Sequence, residues 1–336
     1  QILVVDNGSN DGTAELARKA GAEVVFEPRQ GYGSAYLRGL KEVRGDIVVM
    51  SDADGTYPLD KISEFIQPIL KGNADFIIGS RLKGNIQKGA MPWLHRYVGN
   101  PILTSIMNLF FKLNISDAHS GMRAITREGL QKMNLKTIGM EFATEMIVEA
   151  ARRDLRITEI PIEYKPRKDS KAKLASFRDG WRHLRFLLIY SPDYLYLVPG
   201  LLFTGFGFFL MVFLLRQPIQ LGAISLSMHP MSIGSLFALL GTQILLTWMN
   251  VKYYAVSEGY IKKSRMISFI YRHFTLERAI LIGVVLITMG TAFGIHIVRK
   301  WYLGHYGTLD EMRIAILLVT LIILGSQIIS SSFFLS

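Results

Sequence analysis

The sequence predicts a mostly parallel α/β domain followed by an all-α membrane domain of four helices. Three observations carry this. Short apolar runs alternate with helix-patterned segments over residues 1 to about 190, the order that builds a parallel sheet. After Asp193 charge nearly vanishes: residues 194–215, 217–251, 279–298 and 314–336 hold no acidic or basic side chain apart from His229 and His296. Runs of about 18 or more such residues are the length of a transmembrane helix. Third, the run Ile47-Val48-Val49-Met50 ends in Ser51-Asp52-Ala53-Asp54, two carboxylates at the carboxyl end of a buried strand, where ligands bind in open α/β sheets.

Taken in order, Ile2–Asp6 is an apolar strand. The chain opens on it directly, and sequence is expected to precede it in the full protein. Asn7–Thr13 is a turn-rich loop that caps a helix over about 13–20. A strand at 22–26, a glycine-entered helix at 31–43 and the strand at 46–51 follow, then a helix at 59–71 and a strand at 75–79. Asp6 and the Asp52/Asp54 pair thus share one rim. Asp6 either bonds a ribose or base there or caps its own turn. Asp52 and Asp54 either converge on a hard cation such as Mg²⁺ or Mn²⁺, with substrate phosphates completing its shell, or serve the turn Asp-Ala-Asp-Gly-Thr-Tyr-Pro.

A basic loop over 81–96 precedes a helix at about 99–112. Asp117–Arg123 is a second polar turn, offering an acid/base carboxylate and a phosphate-binding arginine. Its Asp has a purely structural alternative. A helix at 140–153 opens on Glu141 and Glu145, which suit its dipole. Ile157–Tyr164 reads as an edge strand that tolerates Pro161. Trp181, Leu184, Leu187 and Leu188 form one apolar face over 177–192. That pattern suits a helix lying in the membrane interface, the alternative being a helix packed on the domain.

The formal net charge is +11. Arg167, Lys168, Lys171, Lys173, Arg178, Arg182 and Arg185 precede the first span, and Lys252, Lys262, Lys263, Arg265, Arg272 and Arg278 separate the second from the third. The other loops hold Arg216, Arg299, Lys300 and Arg313. The positive-inside rule therefore puts the N-terminal domain on the cytoplasmic side of a multi-pass protein. Clustering beside the spans suits anionic lipid rather than nucleic acid. No cysteine is present, which excludes disulfides, thiolate catalysis and cysteine–zinc sites. The expected organisation is an α/β domain at 1–176, an interfacial helix at 177–192 and a membrane domain at 193–336, with spans at about 194–215, 229–251, 278–298 and 313–335. The spans also offer surfaces for homo-oligomerisation.

Several of these stretches, Val4–Thr13, Ser51–Gly55, Gly79-Ser80-Arg81, Asp117 with Ser120-Gly121-Met122-Arg123, and Glu159-Ile160-Pro161-Ile162, together resemble family-2 glycosyltransferases of the GT-A fold, the nucleotide-diphospho-sugar transferases. The nearest kin are polyprenyl-phosphate sugar transferases, similar to dolichyl-phosphate mannose or glucose synthases. The likeness covers residues 1 to about 190, and the tail is similar to that of membrane-anchored members.

The resemblance implies an inverting transfer of one sugar from a UDP- or GDP-linked donor to a polyprenyl or dolichyl phosphate. It implies that Asp6 meets the nucleoside and that Asp52 and Asp54 form a DxD-type motif holding metal and diphosphate. Arg81 and Arg96 would bind the lipid phosphate, and Asp54, Asp117, Arg81 and Arg96 would carry the chemistry. Arg123 belongs to a D-x-x-S-G-x-R turn, and Arg167 and Lys173 to a basic segment that closes over the donor. Three features depart from the pattern. The family's Pro-x-x-Asn-Glu strand is absent, Thr56 stands where some synthases place a glutamine ligand, and the basic segment Arg167–Leu174 is one residue longer.

A lipid phosphate is already anionic near neutral pH and needs no strong general base, in keeping with His95 and His119 reading as loop residues. Two alternatives remain. A processive polysaccharide synthase needs a Gln-x-x-Arg-Trp motif, of which Trp181-Arg182 is only an echo. A non-catalytic scaffold or flippase partner would favour intramembrane charges, and the spans hold almost none.

Overall fold

The computed structural model describes residues 1–167, 176–216, 218–221, 224–257, 268–269, 272–307 and 311–335. The chain divides into two units, Gln1–Tyr190 and Ser191–Ser336.

In the first unit β1 (Leu3–Asp6) and β2 (Glu23–Phe26) pair in parallel across α1 (Thr13–Lys19). Then come α2 (Tyr32–Leu40) and β3 (Ile47–Met50). The stretch expected as one helix at 59–71 is broken. A 3₁₀ turn at Leu59–Lys61 leads into short α3 (Ile62–Phe65) and α4 (Gln67–Leu70). Pro68 sits in the first turn of α4, where its missing N–H costs nothing but where a continuous helix would lose a bond.

The remaining elements are β4 (Phe76–Ile86), α5 (Asn100–Phe111), β5 (Arg123–Thr126), α6 (Arg127–Lys132), α7 (Phe142–Arg152), β6 (Ile157–Tyr164) and α8 (Ser176–Tyr190). The four-stranded sheet runs β3-β5-β4-β6. β4 and β6 are parallel, and β5 lies antiparallel to both β3 and β4. Strands β3, β4 and β6 therefore share one direction, with β5 reversed between them. β6 is an edge strand as expected, and Pro161 pairs opposite Ser80 there.

Alternation along β4 explains the layers. Phe76 and Ile78 face a core with Val48, Met50, Met107, Phe142 and Ile147, whereas Ile77 faces Tyr57, Phe65, Ile69 and Ile162. Helix α8 belongs to the first core, with Phe186 and Leu187 buried at 7% and 0% exposure. Its buried face is His183, Phe186 and Leu187, while Trp181 is 60% exposed. The stripe expected from Trp181, Leu184, Leu187 and Leu188 is thus rotated, and α8 packs on α5 and α7.

The second unit holds four helices long and apolar enough to cross a membrane: Asp193–Leu214, Met228–Ser257, Leu276–Leu303 and Met312–Ser332. Each overlaps an expected span. The first two meet through glycine: a Cβ on Gly207 would fall 2.2 Å from the Ala238 backbone nitrogen, so only hydrogen fits. Small residues at such contacts let backbones approach in lipid. At the start of the first span Asp193 accepts hydrogen bonds from Trp248 Nε1 at 2.7 Å and Lys252 Nζ at 2.9 Å, both on the second span.

Candidate active site

The loop after β3 carries the paired aspartates. Asp54 Oδ1 accepts from Thr56 Oγ1 at 2.6 Å and from its backbone N–H at 3.2 Å, an Asx-type turn. Asp54 Oδ2 accepts from Arg167 Nε at 2.6 Å. Asp52 Oδ1 accepts from the Tyr36 hydroxyl at 3.2 Å. A methyl group on Gly121 would stand 2.6 Å from Asp52 Oδ2, so glycine there makes room for the carboxylate. Burial, and the nearby Asp54 charge, push the Asp52 carboxyl above the ordinary carboxylate range.

The second turn is locked to the first. Gly121 N–H donates to the Tyr57 hydroxyl at 2.7 Å. Asp117 is fully buried, and Arg81 grips it as a fork: Nε and the backbone N–H to Oδ2 at 2.8 and 3.0 Å, Nη2 to Oδ1 at 2.8 Å. Burial works against the Arg81 charge, but Asp117 holds it well above its usual range. The arginine also lies over the Tyr164 ring, 5.2 Å from its centre. Beneath the turn, Glu159 Oε1 accepts the backbone N–H groups of Ser116 and Asp117 at 2.7 and 3.1 Å.

Arg123 is buried and satisfies three backbone carbonyls, those of Ser120, Ala143 and Ala118, at 2.9, 2.6 and 2.9 Å. Burial lowers its pKa.

These elements border one cleft of about 480 Å³. Of the residues singled out in the sequence, Asp52, Arg81 and Arg167 line it, and Asp54 is joined to it through Arg167. Asp117 stands behind Arg81, fully buried, with both oxygens bonded to that one residue. Its placement is that of a residue that orients Arg81. Arg123 does not border the cleft; its guanidinium shapes the 118–120 turn from behind. Asp6 accepts the Ser9 N–H at 2.9 Å, the capping arrangement. Arg96 lies over the Tyr97 ring, 5.3 Å from its centre, on the helical turn His95–Gly99, and is not among the cleft-lining residues. Lys173 lies outside the described residues.

The sequence reading missed several groups. Tyr57 and Tyr164 wall the cleft, and Arg178, Arg182 and His183 reach it from α8. His119 also lines it, with its ring edge-on to His183 at 4.5 Å. Asn7 joins the loop after β1 to the entry of α2, accepting the Gly31 N–H at 2.8 Å and donating to the carbonyls of Glu27 and Arg29, each at 2.8 Å. Asn7 lies within the Val4–Thr13 stretch, and only the three-dimensional pairing distinguishes it from its neighbours.

The donor set suits a hard divalent cation. Asp52 and Asp54 offer carboxylate oxygens with room beside Gly121, and Arg167 supplies positive charge at Asp54. No group of three or more His, Cys, Asp or Glu is poised as a metal cage among the described residues.

A mixed sheet with β5 reversed, a paired-aspartate loop at its rim and a cationic cleft define a glycosyltransferase of the GT-A fold. The chain belongs to glycosyltransferase family 2. The family's model, Glycosyl transferase family 2, matches residues 1–133, and a second, the Glycosyltransferase family 2 C-terminal transmembrane region, matches residues 249–336. The chain is 37% identical over 335 residues to the low-salt glycan biosynthesis hexosyltransferase Agl6 of Haloferax volcanii, covering 99% of this chain and 80% of that protein. It is 35% identical over 182 residues to a dolichyl-phosphate hexose transferase of the same organism, covering 54% of this chain and 76% of the relative. Among solved structures, glucosyl-3-phosphoglycerate synthase from Mycobacterium tuberculosis in complex with Mn²⁺, uridine-diphosphate and glucosyl-3-phosphoglycerate is similar at a TM-score of 0.45 and 23% identity, covering 56% of this chain and 67% of that one. The protein is a membrane-bound enzyme of the glycosyltransferase class.

Proposed function

We propose that this enzyme moves one hexose from a UDP- or GDP-linked donor to a polyprenyl or dolichyl phosphate, inverting the anomeric centre, with its catalytic domain on the cytoplasmic face. The observation that carries the reading is the Asp52/Asp54 pair at the lip of a cleft that Arg81, Arg167, Arg178 and Arg182 fill with positive charge. A doubly anionic donor and an anionic acceptor both need that charge. Likeness to a hexosyltransferase over nearly the whole chain, and to a dolichyl-phosphate hexose transferase over the catalytic part, supports it. The basic residues flanking the spans support the orientation.

Asp52 and Asp54 would hold Mg²⁺ or Mn²⁺, which when bound neutralises charge developing on the leaving diphosphate. Arg167, tied to Asp54, brings a guanidinium to the same region. Arg81 is fixed in direction by Asp117 before any ligand arrives, so little rotamer freedom is lost on binding. An acceptor phosphate oxygen attacks the anomeric carbon, and the bond from that carbon to the diphosphate breaks with its electron pair leaving on the nucleoside diphosphate. The acceptor oxygen is already anionic, so no side chain need take a proton.

The test is transfer by the purified full chain. Radiolabelled UDP- and GDP-sugars are offered with polyprenyl phosphate and Mn²⁺ in detergent, and the product is read by mass and by the coupling constant of its anomeric proton. One hexose on a lipid phosphate, with inverted configuration, is expected. Polymer growth, or transfer only to a water-soluble acceptor, would overturn the reading.

A further inference from the structure

The cleft contains a set of groups to which the donor site described above assigns no role. His119 presents both ring nitrogens buried and without a hydrogen-bond partner among the described residues. Buried polar atoms are paired in the great majority of native structures, and an unpaired one calls for an explanation. His183 beside it is different: its Nδ1 lies 2.7 Å from Thr144 Oγ1, a fully buried hydroxyl. So one imidazole of the pair is anchored to α7, and the other faces the cleft with its valences unspent. From the same helix as His183, one turn apart, Arg178 and Arg182 line the same cleft.

We propose that His119, with Arg178 and Arg182 of α8, forms a phosphate-monoester subsite that takes the terminal phosphate of the acceptor lipid. The proposal rests on the polyprenyl-phosphate acceptor reading given above. Its chemistry is that of the groups themselves. Guanidinium groups bond phosphate oxygens in a planar fork, and a neutral imidazole adds one N–H donor. In-line displacement requires the attacking oxygen on the side of the sugar away from the leaving diphosphate. The acceptor phosphate must therefore be held by groups other than those gripping the diphosphate. Arg167 is bonded to Asp54 and belongs with the donor. The α8 arginines come from a separate element, which in the chain runs into the first span after Ser191 and Pro192. Arg81 lines the cleft too; its Nε–H and one Nη2–H are committed to Asp117, and its remaining N–H groups add donors beside those of α8.

The test uses the full chain in detergent and calorimetric titration with two probes, a water-soluble short-chain prenyl phosphate and a nucleoside diphosphate with Mn²⁺. In the Arg178→Gln/Arg182→Gln variant, prenyl phosphate should bind roughly tenfold or more weakly, the scale of one lost charge-assisted hydrogen bond. Nucleotide affinity should stay within about twofold of wild type, well under the change expected for one such bond. The Arg→Lys pair should recover part of the loss, and His119→Gln should raise the KM for acceptor more than for donor. Unchanged acceptor affinity in the Gln variant would overturn the subsite. So would a parallel loss of nucleotide affinity, which would give the α8 arginines to the diphosphate instead. If wild type binds no prenyl phosphate, the acceptor reading fails. Inorganic phosphate then becomes the probe, and the subsite stands only if its binding still weakens in the Gln variant.

Discussion

Two aspartate-bearing turns meet at the cleft, and they differ in what their carboxylates touch. Asp52 and Asp54 follow β3 and are held by a tyrosine hydroxyl, by Thr56 and by Arg167, with the Asp54 side chain 22% exposed. Asp117 precedes β5 and is gripped by three donors of Arg81 while its own backbone N–H is bonded to Glu159. Identical chemistry in similar turns therefore does opposite things. A carboxylate that reaches the surface can exchange its partners for a cation or a ligand. One that is fully buried against a single arginine fixes its partner instead.

The contrast is sharpest in the first pair of expected outcomes. Asp54→Ala should cut sugar transfer by about a thousandfold, the scale of losing a preorganised electrostatic group. It should shift unfolding free energy by less than about 1 kcal/mol. Chelation of divalent cations should reduce wild-type transfer to the same residual level, and a chelator-insensitive wild type would break the assignment. Asp117→Ala should act the other way round. It strands the buried Arg81 charge, so it should cost about 3–5 kcal/mol of stability, measured by denaturant unfolding of the purified chain. A stable Asp117→Ala protein lacking only activity would return Asp117 to the chemistry.

Tyr57→Phe tests the link between the turns. It leaves the Gly121 N–H without its acceptor, at a cost of about 1–3 kcal/mol, and should loosen Asp52 so that donor KM rises as stability falls. Full stability with wild-type kinetics would mean that the two turns are independent.

The smallest effect is on pH. Burial, with His183, Arg81, Arg123 and His95 nearby, holds His119 well below its ordinary value of 6.5. Between that depressed value and 6.5 the unfolded chain binds more protons than the folded one. Stability should then fall as pH drops below 6.5, by at most about 1.4 kcal/mol per pH unit from this group. The His119→Gln variant should show a flatter stability–pH curve between pH 6.5 and 5; an unchanged slope would mean that His119 is already paired.

Some of this was legible in the residues alone. The four spans were, because loss of charge over a bilayer's length is a one-dimensional signal. So was the Asp52/Asp54 rim, because an apolar run followed by carboxylates marks a strand end. The edge position of β6 followed from Pro161. The partners were not legible. Arg81 and Asp117 lie 36 residues apart, and no local pattern says that they meet. Nor does one say that Arg123 turns inward to carbonyls. Helix α8 carries more than one apolar stripe, and packing against α5 and α7 selected His183, Phe186 and Leu187 over the Trp181 face. The reversed strand β5 was hidden for a related reason: Arg123–Thr126 is four residues long, too short for a period to declare itself.

The tie from Asp193 to Trp248 and Lys252 has a bearing on biogenesis. A lone acid at the head of one hydrophobic segment and a lone base near the tail of the next would each resist entry into a bilayer. Together they cancel, and the indole N–H bonds the other carboxylate oxygen. Deleting either charge would therefore strand the other, so the first two spans carry a charge requirement that only the pair, and neither helix alone, can meet.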